Sequence, residues 1–197
     1  MIITKERLAI WMDYVRYQNH LSSRFSDCFF TSQLDSKAWL IESIEDMRIS
    51  DVVIFGGWYG VLAGLLSDNL LFKSVNITTV DIDPECKDIV KRITLPDDNI
   101  YPVTCSMEDF EYKLIPDMVI NTSCEHITQE QYEKWWNNIP INTWYVLQSN
   151  NFDIDEHIRT ASSLEDFERQ CTDITGIMFK DEFETGGFTR YMIIGRK

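Results

Sequence analysis

Positive charge is scarce in this 197-residue chain: 18 Lys and Arg stand against 32 Asp and Glu, a formal net charge of −14. That surplus repels phosphate backbones before any local contact forms, which argues against a nucleic acid as partner. The densest basic cluster, Lys87, Lys91 and Arg92, has helical spacing beside Asp83, Glu85 and Asp88, and reads as a solvated helix face. Metal-motif spacing is missing too. The five cysteines, Cys28, Cys86, Cys105, Cys124 and Cys171, are odd in number and far apart, with no CxxC and no His at finger distance. Neither a disulfide framework nor a zinc finger is expected. No window approaches the roughly 18 apolar residues of a membrane span. The opening Met1-Ile-Ile-Thr-Lys-Glu-Arg7 puts charges where a signal peptide needs its apolar run, so a reducing cytoplasm is the expected setting. Internal repeats and linkers are also lacking.

What is present is a globular composition, 44% apolar and 25% charged with 11 Phe, 6 Trp and 8 Tyr. Residues 4–47 read as helical, because Leu8, Trp11, Met12, Val15 and later Trp39, Leu40, Ile44 and Met47 recur every three or four positions, with a break at 23–27. From residue 50 the period changes. Asp51-Val-Val-Ile-Phe55 is a continuous apolar run ending at Gly56, the pattern of a buried parallel strand. A helix about Val61–Leu66 follows, then a strand over 75–81, and a helix opened by Asp83 as cap with Pro84 in its first turn. Further strands fall at 100–103, 117–121 and 144–148. Thr128-Gln-Glu-Gln131 and Ser162-Ser-Leu-Glu165 have capping-box spacing. Strands at 177–183 and 188–194 close the chain as a hairpin, its loop Glu184-Thr-Gly-Gly187 offering glycines for positive φ. The expectation is an open α/β sheet of seven strands, mostly parallel, with a C-terminal antiparallel hairpin and an N-terminal helical extension over it.

Phe55-Gly-Gly-Trp-Tyr-Gly60 joins a buried strand to a helix, where backbone amides and a helix N-terminus favour an anionic or polar ligand. The next strand ends in Asp81, 25 residues after Gly56 and near the roughly 20 typical of a ribose-binding carboxylate. Asp83 is the better cap, which leaves Asp81 for a ligand. A dinucleotide oxidoreductase is disfavoured, since GxGxxG needs a further glycine where Val61 and its neighbours stand.

Together these residues resemble the class I S-adenosylmethionine-dependent methyltransferases over about residues 50–195. The resemblance implies a Rossmann-like three-layer sandwich in which residues 50–197 bind S-adenosylmethionine. Residues 1–49, with Trp11, Tyr14, Tyr17, Phe25, Phe29 and Phe30, are expected to form a lid or cap and not an independent domain, although core packing accounts for most of these rings. The resemblance also implies that Gly56, Gly57, the Trp58 backbone and Gly60 form the cofactor turn. By the same resemblance Asp81 holds the ribose, Ile82 flanks the adenine, Ser106 and the Met107 amide face the adenine edge, and Asn121 begins the substrate-facing segment. Trp58, Ile54 and Ser106 depart from the family's usual residues, which keeps open a non-enzymatic S-adenosylmethionine-binding or scaffold role. Gly56-Gly-Trp-Tyr-Gly60 is also similar to aminopropyltransferases, although Ile120-Asn-Thr-Ser-Cys124 lacks their acid-rich motif.

Loops after the carboxyl ends of parallel strands are the expected reactive edge. There His126 is the candidate base, with Glu125 to orient it or bind an amine, and Asn121 beside them. Asn150, Asn151 and His157 offer polar substrate contacts, although the asparagines read equally as turn formers. Arg190 suits a substrate carboxylate or a pairing with Glu184. Cys124, His126 and His157 have no spacing that enforces convergence, so no metal is expected. The acceptor is expected to be a small molecule or a peptide. Oligomeric state is not encoded.

Overall fold

The computed structural model describes residues 3–17, 22–69, 71–72, 74–95 and 97–197. Three helices lead: α1 (Lys5–Tyr17), α2 (Ser22–Asp27) and α3 (Thr31–Ser43). Then strands and helices alternate as β1 (Asp51–Phe55), α4 (Val61–Asp68), β2 (Asn76–Asp81), α5 (Pro84–Ile93), β3 (Ile100–Thr104), β4 (Met118–Asn121), α6 (Gln129–Asn138), β5 (Trp144–Asn150), α7 (Leu164–Gln170), β6 (Ile177–Glu184) and β7 (Thr189–Arg196). The strands form one sheet in the order β3-β2-β1-β4-β5-β7-β6. The first five are parallel, and β7 runs antiparallel to both β5 and β6. This is the expected seven-stranded Rossmann-like architecture. Among the described residues no helix is long and apolar enough to cross a membrane.

Strand alternation builds two cores. Val52, Ile54, Ile77, Ile120 and Val146 face one side, where residues of α1, α3, α4 and α5 cover them. Val53, Phe55, Val80, Val119 and Leu147 face the other, beneath Tyr132, Trp135 and Trp136 of α6 and Phe167 of α7. A sheet buried on both faces explains why β1 and β4 read as unbroken apolar runs.

The N-terminal helices share the first core with the sheet. Arg7 of α1, 2% exposed, donates to the Ile93 carbonyl at 3.0 Å and pairs with Asp68 at 3.1 Å and with Asp97. Trp11 donates its indole N–H to the same carbonyl at 3.2 Å. A buried guanidinium satisfied on three sides fixes α1 against the ends of α4 and α5.

The structure departs from the sequence expectations at several points. Residues 23–27 do not interrupt the helical segment: they lie within α2, a helix with so short an apolar face that its period is invisible. The breaks it does contain lie at 28–30, while residues 18–21 of the helical reading fall outside those described. Thr128 does make the full capping box with Gln131, and Asp83 accepts from the Glu85 amide with Pro84 behind it. The second box is shifted by one: Ser163 caps α7, accepting from the Asp166 amide, and Asp166 reaches back to the Ser162 amide at 2.8 Å. The hairpin forms without positive φ at Gly186 or Gly187. Thr185 closes it instead, exchanging backbone and hydroxyl bonds with Phe188. Lys87, Lys91 and Arg92 lie exposed along α5, as a solvated face should.

Candidate functional site

Strand order reverses between β1 and β4, and open α/β sheets bind ligands at the carboxyl ends of the strands beside such a switch point. A cleft of about 930 Å³ opens there. It runs from the turn after β1 to the segments after β4 and β5, with α2 and α3 along one side.

The turn after β1 is built on left-handed backbone. Gly56 has φ +59 and Gly60 +76, and a Cβ at Gly56 would sit 2.7 Å from the Ser123 hydroxyl. Trp58 also lies in this region, at φ 47, where a side chain costs about 1–3 kcal/mol. Asp81 holds that conformation, one oxygen accepting from the Trp58 amide at 2.8 Å and the other from the Asp83 amide at 3.0 Å. Asp81 therefore already serves the protein, with lone pairs to spare on both oxygens for a ligand. The Trp58 ring stacks on Tyr59 at 5.2 Å.

Of the residues singled out from sequence, Gly56, Gly57, Trp58, Asp81, Ile82, Ser106, Met107, Glu125, His126, His157 and Arg190 all line the cleft. Ile82 is 71% exposed, an apolar face left uncovered beside the Asp81 carboxylate. Ser106 donates its hydroxyl to Asp109 at 2.6 Å. Four candidates do not line it. Gly60 packs against Val90. Asn121 is fully buried, its amide reaching the Met107 sulfur at 3.6 Å and its oxygen accepting from the Ser123 amide at 2.9 Å. Asn150 donates to Glu125 Oε1 at 2.5 Å, and Asn151 bridges to Thr189. These three asparagines hold the site's framework.

Glu125 and His126 sit on a short 3-10 turn, Cys124–His126, directly after β4. The segment after β5 is strapped to it, because the Ile158 and Arg159 amides both donate to the Glu125 carbonyl, at 2.9 and 3.0 Å. That strap brings His157 to His126, with ring centroids 4.6 Å apart. Each imidazole Nδ1 meets a backbone carbonyl, His126 that of Glu156 at 3.1 Å and His157 that of Phe152 at 2.6 Å. A carbonyl only accepts, so Nδ1 is the donor in both rings, and in the neutral imidazole that leaves Nε2 as the acceptor. Glu125 is 2% exposed, and its Oε2 has no hydrogen-bond partner among the described residues. Cys124 points away into the core, where burial pushes its thiol well up.

Arg190 is 4% exposed and its Nε has no partner among the described residues; burial lowers its guanidinium from the ordinary range, with the Glu125 charge opposing. Glu184 does not pair with it, taking the Thr189 hydroxyl instead. Sequence reasoning missed Lys37 of α3, which lines the same cleft and donates to Gln33 at 3.0 Å. Burial lowers the Lys37 amine to about 8, and the Arg190 charge acts in the same direction. Arg24, paired with Asp83 at 3.1 Å, borders the cleft from α2.

No known family's sequence model matches the chain, and no curated protein matches it. Solved structures match by shape. The N-methyltransferase NodS from Bradyrhizobium japonicum WM9, in complex with S-adenosyl-L-homocysteine, superposes with a TM-score of 0.65 at 10% identity over 84% of this chain and 88% of its own. The S-adenosylmethionine-dependent methyltransferase SibL gives 0.64 at 16% identity over 84% of this chain, which spans only 55% of SibL. Coclaurine N-methyltransferase bound to N-methylheliamine and S-adenosyl-L-homocysteine gives 0.64 at 10% identity, over 83% and 72%. The chain has the class I methyltransferase fold. In this methyltransferase fold the glycine turn, Asp81 and the cleft fall at the carboxyl ends of β1, β2 and β4, the same edge the sequence pattern marks as reactive.

Proposed function

We propose that the protein is an S-adenosylmethionine-dependent methyltransferase acting on a small-molecule or peptide acceptor. One observation carries the reading: Asp81, uncovered Ile82 and the left-handed glycine turn converge on a single cleft that continues to an imidazole- and carboxylate-lined edge. The residues fit the cofactor on structural grounds. Asp81 retains acceptor capacity for ribose hydroxyls, Ile82 offers an apolar face to an adenine, and the glycine turn lets backbone approach a ligand closely. Lys37 and Arg190 offer positive charge to a carboxylate.

When bound, the cofactor supplies an electrophilic methyl on a sulfonium. The chain's part is to hold the acceptor in line with it and keep water out. Helices α2 and α3 form one wall of the cleft, suited to a lid. His126, with Nε2 free, takes a proton from an acceptor that must lose one, and Glu125 meets positive charge on an amine. Asn150 is a positioning residue, holding Glu125 through its 2.5 Å bond. Transfer of another group, as in aminopropyltransferases, draws its support from the unpartnered Glu125 oxygen, and a preference for decarboxylated cofactor identifies it. Calorimetric titration with S-adenosylmethionine and S-adenosylhomocysteine tests the proposal. One-to-one binding at micromolar affinity is expected. A folded sample that binds neither overturns it.

A further inference from the structure

The cluster of Glu125, His126 and His157 has a geometry that proton transfer alone does not use. One ligating atom from each lies within 4.8 Å of the other two. The two imidazoles lie 31 residues apart in sequence, yet the double backbone strap to the Glu125 carbonyl locks their segments together. Both rings spend Nδ1–H on backbone carbonyls, the second-shell arrangement that orients a histidine to coordinate through Nε2. The third member is a carboxylate at 2% exposure, oriented by Asn150 through one oxygen while the other has no partner among the described residues. A buried, unpartnered carboxylate oxygen is costly unless something compensates it. The Arg190 guanidinium feels the Glu125 charge, but among the described residues nothing, Arg190 included, makes a hydrogen bond to that oxygen.

We propose that Glu125, His126 and His157 form a divalent metal site at the edge of the cleft. Two imidazoles and one carboxylate select a first-row transition ion such as Zn²⁺, Co²⁺, Mn²⁺ or Fe²⁺ over Mg²⁺ or Ca²⁺, which prefer oxygen alone. Ligands held about 2.1 Å from one ion lie roughly 3–3.5 Å apart, so binding draws the three groups inward. His126 and His157 lie on surface segments that allow this. Three protein ligands leave coordination positions open toward the cleft. On the methyl-transfer reading, and only there, those positions receive an oxygen of the acceptor. Metal ligation and proton acceptance by His126 use the same lone pair and exclude one another.

The test is titration of the metal-stripped full chain with Co²⁺, read by its visible d–d absorption, with Zn²⁺ competition for affinity. One equivalent is expected, and His157→Gln and Glu125→Gln each weaken it about 100-fold or more, since even outer-shell partners of a metal are worth 10–100-fold. His126→Gln, at an exposed position, serves as the variant that leaves folding unchanged, with circular dichroism as the check. Absence of a one-equivalent spectrum, or affinity unchanged in folded His126→Gln, overturns the proposal. Cofactor titration of the same metal-free sample is independent of this result. Failure of metal binding with cofactor binding intact removes only the metal site, and the converse removes only the methyltransferase reading.

Discussion

Replacing Asp81 separates what the residue does for the fold from what it does for a ligand. Its carboxylate accepts from the Trp58 amide at 2.8 Å and the Asp83 amide at 3.0 Å. Bonds to a charged acceptor contribute about 1.5–3 kcal/mol each, and the half-exposed position of Asp81 favours the low end, so Asp81→Ala loses about 3 kcal/mol of stability. Asp81→Asn keeps one acceptor oxygen and loses about half of that. For a chain of this size 1 kcal/mol shifts Tm by about 2–4 °C, so the Ala variant melts about 6–12 °C lower. Two ribose hydroxyls bonded to the carboxylate are worth about 3–6 kcal/mol together, which predicts cofactor affinity lower by about 10²–10⁴-fold. Differential scanning calorimetry and isothermal titration of the folded variant measure both quantities. An Ala variant that melts with the wild type refutes the turn-holding role, and a binding constant within threefold of wild type refutes the ribose role.

Arg7→Ala breaks the buried ion cluster and leaves the Asp68 and Asp97 carboxylates without their cation, while the Ile93 carbonyl keeps only the Trp11 indole; a loss of about 3–5 kcal/mol is expected in urea unfolding, and less than 1 would show that α1 is held by its aromatic residues alone. Gly60→Ala forces a side chain to φ +76 with its Cβ 3.0 Å from Val90, so about 2 kcal/mol is lost, whereas Gly187→Ala meets open space and stays within about 0.5 kcal/mol. Equal effects of the two on Tm would contradict the backbone argument. Lys37, lowered to about 8 by burial, is expected to acetylate with a half-point near that pH while other lysines lag, as mass spectrometry of a pH series reads directly. Because the unfolded chain keeps this proton to a higher pH than the folded one, Lys37 adds a stability increment as pH rises above about 8, absent in Lys37→Met. A half-point at the ordinary lysine value sinks both expectations.

The period change at residue 50, the cap of Asp83 and Pro84 and the capping box at Thr128 were legible because each depends on neighbours a few positions apart. The glycine turn was legible for the same reason. What escaped depends on tertiary contact. α2 buries Phe25, and beside it Cys28, without showing a helical period. The two adjacent serines at 162 and 163, followed by Glu165 and Asp166, permit two capping registers, and packing selects the second. His157 reaches His126 only through the strap to the Glu125 carbonyl, across α6 and β5, and nothing in the linear spacing announces that bond. Asn121, Asn150 and Asn151 look like ligands in sequence because they end strands at the reactive edge. The structure spends their amides on neighbouring segments.

The Arg7 cluster also sets an order of events during synthesis. Its partners lie 61 to 90 residues further along the chain, at Asp68, Ile93 and Asp97. While the chain emerges from the ribosome, the Arg7 guanidinium lacks these partners until α4 and α5 have both left the exit tunnel, and α1 has only the α2 region, with Phe25 and Phe29, to pack against. Trp11 and Tyr14, buried in the finished molecule, lack the cover of α4 and α5 over that interval. α1 thus reaches its final place only after α4 and α5 exist, and until residue 97 arrives the nascent chain carries partly uncovered aromatic side chains that a chaperone can hold.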